Sequence, residues 1–87
     1  MEKQIKLENG FELTIDDVVL DDMELVDLLG ELEDDPMKIG KVVKKVLGDQ
    51  KNALYDHVRT EDGRVPVSVL TDAITEIFEA LGEEAKN

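Results

Sequence analysis

The stretch VPVSVLTDAITEIFEALG, residues 65–82, decides the fold class because its apolar side chains recur every three or four residues. That spacing places them on one face of an amphipathic helix. A turn is predicted at Asp62-Gly63, before the helix. Pro66 holds Val65 in an extended conformation, and Ser68 is the predicted N-cap of the helix. The helix is predicted to end near Gly82. Its apolar stripe comprises Leu70, Ile74, Ile77, Phe78 and Leu81, with Val67 near its start.

Two shorter helices are predicted before this stretch. Asp35 followed by Pro36 is typical of a helix start, and Gly48 follows the apolar series of that helix. Asp49 is the predicted cap of the next helix, which runs toward Arg59. Because the connection between the two helices is so short, they are expected to pack as an αα-hairpin or a helix-turn-helix.

A further helix is predicted directly after a cluster of acidic residues. Negative charge stabilises the first turn of a helix, so Asp21 or Asp22 is the predicted cap. A metal site is not predicted here, because no ordered loop brings these carboxylates around one point. The acids are Asp16, Asp17, Asp21, Asp22, Glu24 and Asp27, and the apolar run that follows is Met23, Val26, Leu28, Leu29 and Leu32.

The N-terminal segment alternates apolar and polar residues from Gln4 to Ile15, which indicates a β-hairpin around Asn9-Gly10. A two-residue turn would place the apolar side chains of the two strands on opposite faces. A three-residue loop, residues 8–10 with a left-handed Gly10, instead pairs Leu7 with Phe11 and Ile5 with Leu13. The sequence therefore predicts the bulged three-residue loop.

These elements predict a mainly α fold with an N-terminal β-hairpin, an α+β class, in one small domain of about four helices. The expected division of residues 1–87 is a hairpin at 3–15, a helical part at 16–82 and a flexible tail at 83–87.

The chain carries 22 acidic and 10 basic residues, a net charge of −12. Phosphate backbones and anionic membranes attract excess Lys and Arg, so neither nucleic acid nor a membrane is an expected partner. No stretch approaches the roughly 18 apolar residues of a membrane span, and the expected location is the cytoplasm.

The charge is unevenly distributed along the chain. Residues 1–35 hold 13 acids and 2 bases, residues 36–60 hold 2 acids and 6 bases, and residues 61–87 hold 7 acids and 2 bases. In one interpretation, helices of opposite sign pack together and neutralise each other. In the other, the lysine-rich face of the middle segment docks an acidic partner. That face comprises Lys38, Lys41 and Lys45, with Lys44 beside them.

Residues that could perform chemistry are few. His57, Ser68 and Tyr55 are each the only residue of their type, and the chain has no cysteine. Catalytic triads and multi-histidine metal sites therefore cannot form within one chain. Aligning Gly63 with the sharp turn of a calcium loop places Val58 and Val69 where carboxylates are required. We therefore predict no enzyme activity, no catalytic residue, no metal site and no cofactor, and we expect His57 to be a half-buried packing residue.

Three motifs resemble a known family when taken together. They are Leu20-Asp21-Asp22 opening a helix, Leu47-Gly48 between two helices, and the run from His57-Val58-Arg59 through Glu61-Asp62-Gly63-Arg64-Val65 into the last helix. This order of parts, after a short hairpin, resembles the tail assembly chaperones of long-tailed phages. The likeness is to the small proteins of phages and prophages of Gram-positive bacteria, and it covers residues 5–82.

The resemblance implies a non-enzymatic protein in the cytoplasm of a bacterial host. It would bind the tape measure protein, keep that long helical chain soluble, and leave as tail-tube subunits replace it. For this partner, the first candidate contact is the stripe Leu70, Ile74, Ile77, Phe78 and Leu81. The competing interpretation is that this stripe is the core of the domain.

Two further possibilities remain open at the level of sequence. The chain is a possible homo-oligomer, because the edge of a hairpin can pair with a second copy. The alternative function is an acidic inhibitor or antitoxin-like protein that mimics nucleic-acid charge. A mimic is expected to present ordered carboxylates along one face, whereas a chaperone is expected to expose an apolar groove.

Overall fold

A computed structural model describes the backbone of residues 2–85 and the side chains of residues 2–82. Within this range, the two strands are β1 (Glu2–Lys6) and β2 (Glu12–Asp16), and the four α-helices are α1 (Met23–Asp34), α2 (Ile39–Leu47), α3 (Lys51–Val58) and α4 (Val67–Ala85). Three short 3-10 turns precede α1, α2 and α3, at Asp17–Leu20, Pro36–Lys38 and Gly48–Gln50. The predicted class, mainly α with an N-terminal hairpin, is confirmed.

The two strands form the bulged hairpin that the sequence predicts. Ile5 lies opposite Leu13 in the antiparallel pair, and the Leu7 N–H donates to the Phe11 carbonyl at 2.9 Å. Gly10 has a φ of 93°, a left-handed conformation that glycine adopts without a steric cost. The apolar side chains of the hairpin therefore share one buried face: Ile5, Leu7, Leu13 and Ile15.

An aspartate side chain caps α1 as predicted, and a second one caps the 3-10 turn that leads into α2. The Asp22 carboxylate accepts a hydrogen bond from the Glu24 N–H at 2.9 Å and caps α1. The Asp35 carboxylate accepts one from the Met37 N–H at 3.1 Å. Asp35 caps a 3-10 turn rather than α2 itself, so α2 begins at Ile39, three residues beyond Pro36.

The predicted cap of α3 is wrong. Asp49 lies within the 3-10 turn, and Gln50 occupies the cap position without a side-chain cap bond. The reason is Gly48, whose φ of 54° ends α2 and is followed at once by the 3-10 turn. The Gln50 side chain instead bonds to β2. Its amide accepts a hydrogen bond from the Thr14 N–H at 3.0 Å and donates one to the Thr14 carbonyl at 2.6 Å.

The predicted start of α4 is also wrong, by two residues. The helix begins at Val67, so Ser68 lies inside the first turn instead of capping it. The Pro66 carbonyl accepts the first bond, from the Leu70 N–H at 3.3 Å. A proline before the helix can serve in this way because its carbonyl, unlike its nitrogen, is free to hydrogen bond.

At its other end α4 is longer than predicted. Gly82 does not stop the helix, which continues to Ala85. Of the flexible tail predicted at 83–87, residues 83–85 belong to α4 and residues 86–87 lie outside the described part of the chain.

One hydrophobic core joins the hairpin to all four helices. Helix α2 is central, since it contacts α1, α3 and α4. Its buried side chains are Val42, Val43, Val46 and Leu47. The core is completed by the buried face of the hairpin together with Leu25 from α1, Leu54 from α3, and Leu70, Ala73, Ile74, Ile77 and Leu81 from α4.

Candidate partner-binding surface

The stripe of α4 that the resemblance suggested as a contact lies in the core. Leu70, Ile74, Ile77 and Leu81 are all buried, and Ile77 has no exposed surface at all. Phe78 is half-buried and packs against the same core. In this conformation the stripe is closed to a partner, which agrees with the competing interpretation that it belongs to the domain's own core.

The exposed apolar surface lies elsewhere, at residues that the sequence pattern did not single out as contacts. It comprises Val18, Leu20, Met23, Val26, Met37 and Val67. The first four lie within the acidic segment, between the 3-10 turn after β2 and the middle of α1. The other two are the most relevant, because Met37 is 84% exposed, Val67 is 64% exposed, and both border the same groove.

We define the apolar groove as the hollow of about 300 Å³ between the start of α2, α3 and the start of α4. Nine residues line it: Pro36, Met37, Ile39, Gly40, Val43, Tyr55, Val65, Val67 and Leu70. None of the nine is charged. A concave apolar surface between helices is a common place for a protein to bind a ligand or a helical segment of a partner.

Local sequence explains why the groove is open. The 3-10 turn that starts at Pro36 leaves Met37 exposed at one side of the groove. On α2, Gly40 has no side chain, and a Cβ atom built there would meet nothing within 4 Å. The sequence could have indicated this site through Gly40, a glycine inside an amphipathic helical pattern that has no turn to make.

The far wall of the groove is set by the turn before α4. Gly63 has a φ of 90°, and its N–H donates to the Thr60 carbonyl at 3.0 Å. The Thr60 hydroxyl donates to the Asp62 carboxylate, and Arg64 Nε donates to the same carboxylate at 2.8 Å. These bonds lower the pKa of Asp62 below its ordinary value, and the bond from Thr60 has the largest effect. The turn predicted at Asp62-Gly63 is confirmed, and it delivers Val65 to the groove.

Lysines border the groove on the side of α2 and α3. Lys44 lies one helical turn after Gly40. Among the residues with described side chains, Lys44 forms no ion pair. The Lys51 ammonium lies 5.4 Å from the centroid of the Tyr55 ring, a cation–π contact with a residue of the groove wall.

Lys45, in contrast, faces α1 and pairs with its acidic first turn. Its ammonium lies 3.3 Å from the Asp22 carboxylate and 3.0 Å from the Glu24 carboxylate. The hydrogen bonds to Glu24 and Asp22 raise the pKa of Lys45. Desolvation opposes ionisation of Asp22, but the bonds from Lys45 and the Glu24 N–H outweigh it and lower the Asp22 pKa. The internal pairing of opposite charges is therefore present at Lys45.

His57 is exposed, not half-buried as predicted, because it lies on the outer side of α3 beside the hairpin loop. Its Nε2 donates to the Asn9 carbonyl at 2.9 Å, and its ring lies 5.6 Å from that of Phe11. Both contacts hold the hairpin against α3. Within the described residues, no group of three or more His, Asp or Glu side chains is arranged to hold a metal ion.

Comparison of the chain with protein-family models, curated proteins and solved structures found no match. No helix in the described range is long and apolar enough to cross a membrane.

Proposed function

We propose that this chain is a non-enzymatic tail assembly chaperone that binds the helical tape measure protein and keeps it soluble during tail assembly. The observation that carries the proposal is the apolar groove, with Met37 and Val67 exposed at its border. Helical chains that must be kept apart before assembly expose apolar stripes, and a groove between helices fits one such stripe.

Two further features support this function over charge mimicry. The carboxylates of Asp16, Asp22 and Asp35 are each engaged in capping a backbone N–H, which assigns them a local structural role. The remaining acidic surface gives the protein a strong net charge, and like-charged particles stay dispersed in solution. A complex coated by such chaperones would resist aggregation of its client.

The test is co-expression of the tape measure protein with variants of the chain in a bacterial host. Met37→Glu places a charge at the border of the groove, and we expect loss of most soluble, co-purifying tape measure protein. Met23→Glu is the matched control, because Met23 is also strongly exposed, at 69%, but lies outside the groove on α1. Equal losses with both variants, or a tape measure protein that stays soluble alone, would contradict the proposal.

Gene order gives an independent check. A tail assembly chaperone is expected to be encoded beside a very long helical protein, its client. A neighbourhood without such a gene would count against the function, whatever the groove binds.

A further inference from the structure

Most of the apolar groove is built from the basic segment of an otherwise acidic chain. Six of its nine lining residues come from residues 36–60, the segment with six bases and two acids. This is the one segment of the three with a net positive charge, +4 in a chain of net charge −12. At physiological salt the Debye length is about 8 Å, so a bound partner responds mainly to charges at the border of the groove.

The two acids of this segment form no ion pair with the lysines at the border of the groove. The Asp56 carboxylate accepts from Arg59 at 3.2 Å, and Asp49 lies in the 3-10 turn before α3. On the wall formed by the turn before α4, Arg64 is paired with Asp62. Lys44 and Lys51 are therefore cations beside the groove that form no ion pair among the described side chains.

Helix α2 already binds one acidic amphipathic helix within the molecule. Helix α1 packs on its other side, and Lys45 pairs with carboxylates in the first turn of α1 at 3.3 and 3.0 Å. Lys44 and Lys45 are about 100° apart around α2, since each residue of an α-helix turns by that angle. Lys44 thus borders the groove in the same way as Lys45 borders α1. Unlike Lys45, Lys44 has no carboxylate opposite it among the described side chains.

We infer that the apolar groove takes an acidic amphipathic helix of the partner. Its apolar stripe packs on Met37, Tyr55 and Val67, and its carboxylates pair with Lys44 and Lys51. The inference rests on the proposed function, in which the partner is helical. It adds the sign of the charge on the bound segment. That segment is acidic, whereas the net charge of this protein alone predicts a basic partner.

The test compares two designed helical peptides of roughly 18 residues, a length that supports a helix in isolation. Both have the same leucine stripe at helical spacing, flanked by Glu in one peptide and by Lys in the other. Binding to the full chain is measured by fluorescence anisotropy of labelled peptide at low and physiological salt. We expect the Glu peptide to bind at least tenfold more tightly, and its affinity to fall as salt is raised.

Variants of the chain locate the effect. Replacing both Lys44 and Lys51 by Gln is expected to weaken binding of the Glu peptide about fivefold, since exposed ion pairs contribute modestly. Lys6→Gln is the matched control for a lost exposed lysine, because Lys6 lies on the hairpin and outside the groove. Circular dichroism and thermal unfolding of each variant establish that the fold is retained.

Several outcomes would overturn the inference. They are tighter binding of the Lys peptide, equal binding of both, or binding of the Glu peptide that Met37→Glu leaves unchanged. Self-association of the chain that requires Lys44 would show that a second copy fills the groove instead. If the tape measure protein is kept soluble but the Glu peptide does not bind, the inference fails and the function stands. If the Glu peptide binds but the tape measure protein does not, the proposed function fails and the inference about the groove stands.

Discussion

Gly40 is the residue whose position in the fold is most informative, because it lies inside α2 and in the wall of the apolar groove. A glycine in a helix interior costs about 1 kcal/mol relative to alanine. A Cβ atom at Gly40 would meet nothing within 4 Å, and the same holds for Gly30 inside α1. Neither glycine is required by packing, but only Gly40 faces the proposed partner.

These two glycines form a matched pair for experiment. We expect Gly40→Ala and Gly30→Ala each to raise the free energy of unfolding by about 0.5–1 kcal/mol, through helix propensity. Binding of the Glu peptide is expected to change in Gly40→Ala alone, since its methyl group narrows the groove. Urea unfolding and fluorescence anisotropy measure the two effects. A binding change in Gly30→Ala of the same size would contradict the assignment of the groove.

Asp22 links the cap of α1 to the charge pairing between α1 and α2. Its pKa is lowered in the folded protein, so the stability that it contributes is present above the ordinary Asp pKa of about 3.9. That contribution is lost as the pH falls through the lowered pKa, because the protonated carboxyl no longer pairs with Lys45.

Asp22→Asn is therefore expected to be less stable than the native chain at neutral pH. The difference is expected to shrink as the pH falls below the ordinary Asp range, where both side chains are neutral. Chemical unfolding from pH 7 to pH 2 measures it, with Asp21→Asn as the control for a lost exposed charge. A stability difference that stays constant over this range would contradict the role of the ionised carboxylate.

At the scale of elements, the hairpin and α4 show how the domain holds together. Lys3 Nζ donates to the Ala80 carbonyl at 3.1 Å, and the Glu8 N–H donates to the Glu76 carboxylate at 2.8 Å. Gln50 bonds both the N–H and the carbonyl of Thr14 on the outer edge of β2. A two-stranded hairpin is marginal alone in water, so these contacts and its buried face keep it in place.

The stripe of α4 is expected to behave as core in mutagenesis. Ile77 is fully buried, and we expect Ile77→Ala to lower the free energy of unfolding by about 2–5 kcal/mol. Thr75→Ala, at an exposed position on the same helix, is the control. Where Ile77→Ala remains folded, its affinity for the Glu peptide is expected to be unchanged. Intact stability together with lost binding would reinstate the stripe as a contact.

Much of the element order follows from local sequence signals. The alternation around Gly10, the cap at Asp22 and the turn at Gly63 are short-range effects, and the sequence predicts each of them correctly. The errors at Asp49 and Ser68 arose where a cap residue competes with its neighbours: Gly48 is followed by a 3-10 turn, and Pro66 offers its own carbonyl. Such competition depends on backbone geometry, which residue type alone does not determine.

The site was harder to predict than the fold. Periodicity shows which residues share a helix face, but a buried stripe and a binding stripe have the same period. Leu70 and Ile77 are buried because α4 packs into a core that also receives α2 and the hairpin. The apolar groove combines Met37, Tyr55 and Val67 from three separate segments, and only the tertiary fold brings these together.

At the scale of the whole molecule, the net charge of −12 and the local charge of the groove have separate roles. The acidic surface repels other copies and favours solubility. Among the lysines of residues 36–60, Lys45 pairs with Asp22 and Glu24 at the start of α1, and Lys44 lies beside the groove. In the proposed function, such a protein stays dispersed while one surface attracts an acidic helix.

In the proposed function, the apolar groove is the surface that receives a helical partner. An NMR titration of the isotope-labelled chain with the Glu peptide tests this role directly, because it follows every backbone amide at once. We expect chemical-shift changes concentrated at residues 36–43, at Tyr55 and at residues 65–70. Changes concentrated instead at residues 18–26, the other exposed apolar surface, or spread along α4 as the core opens, would contradict this role.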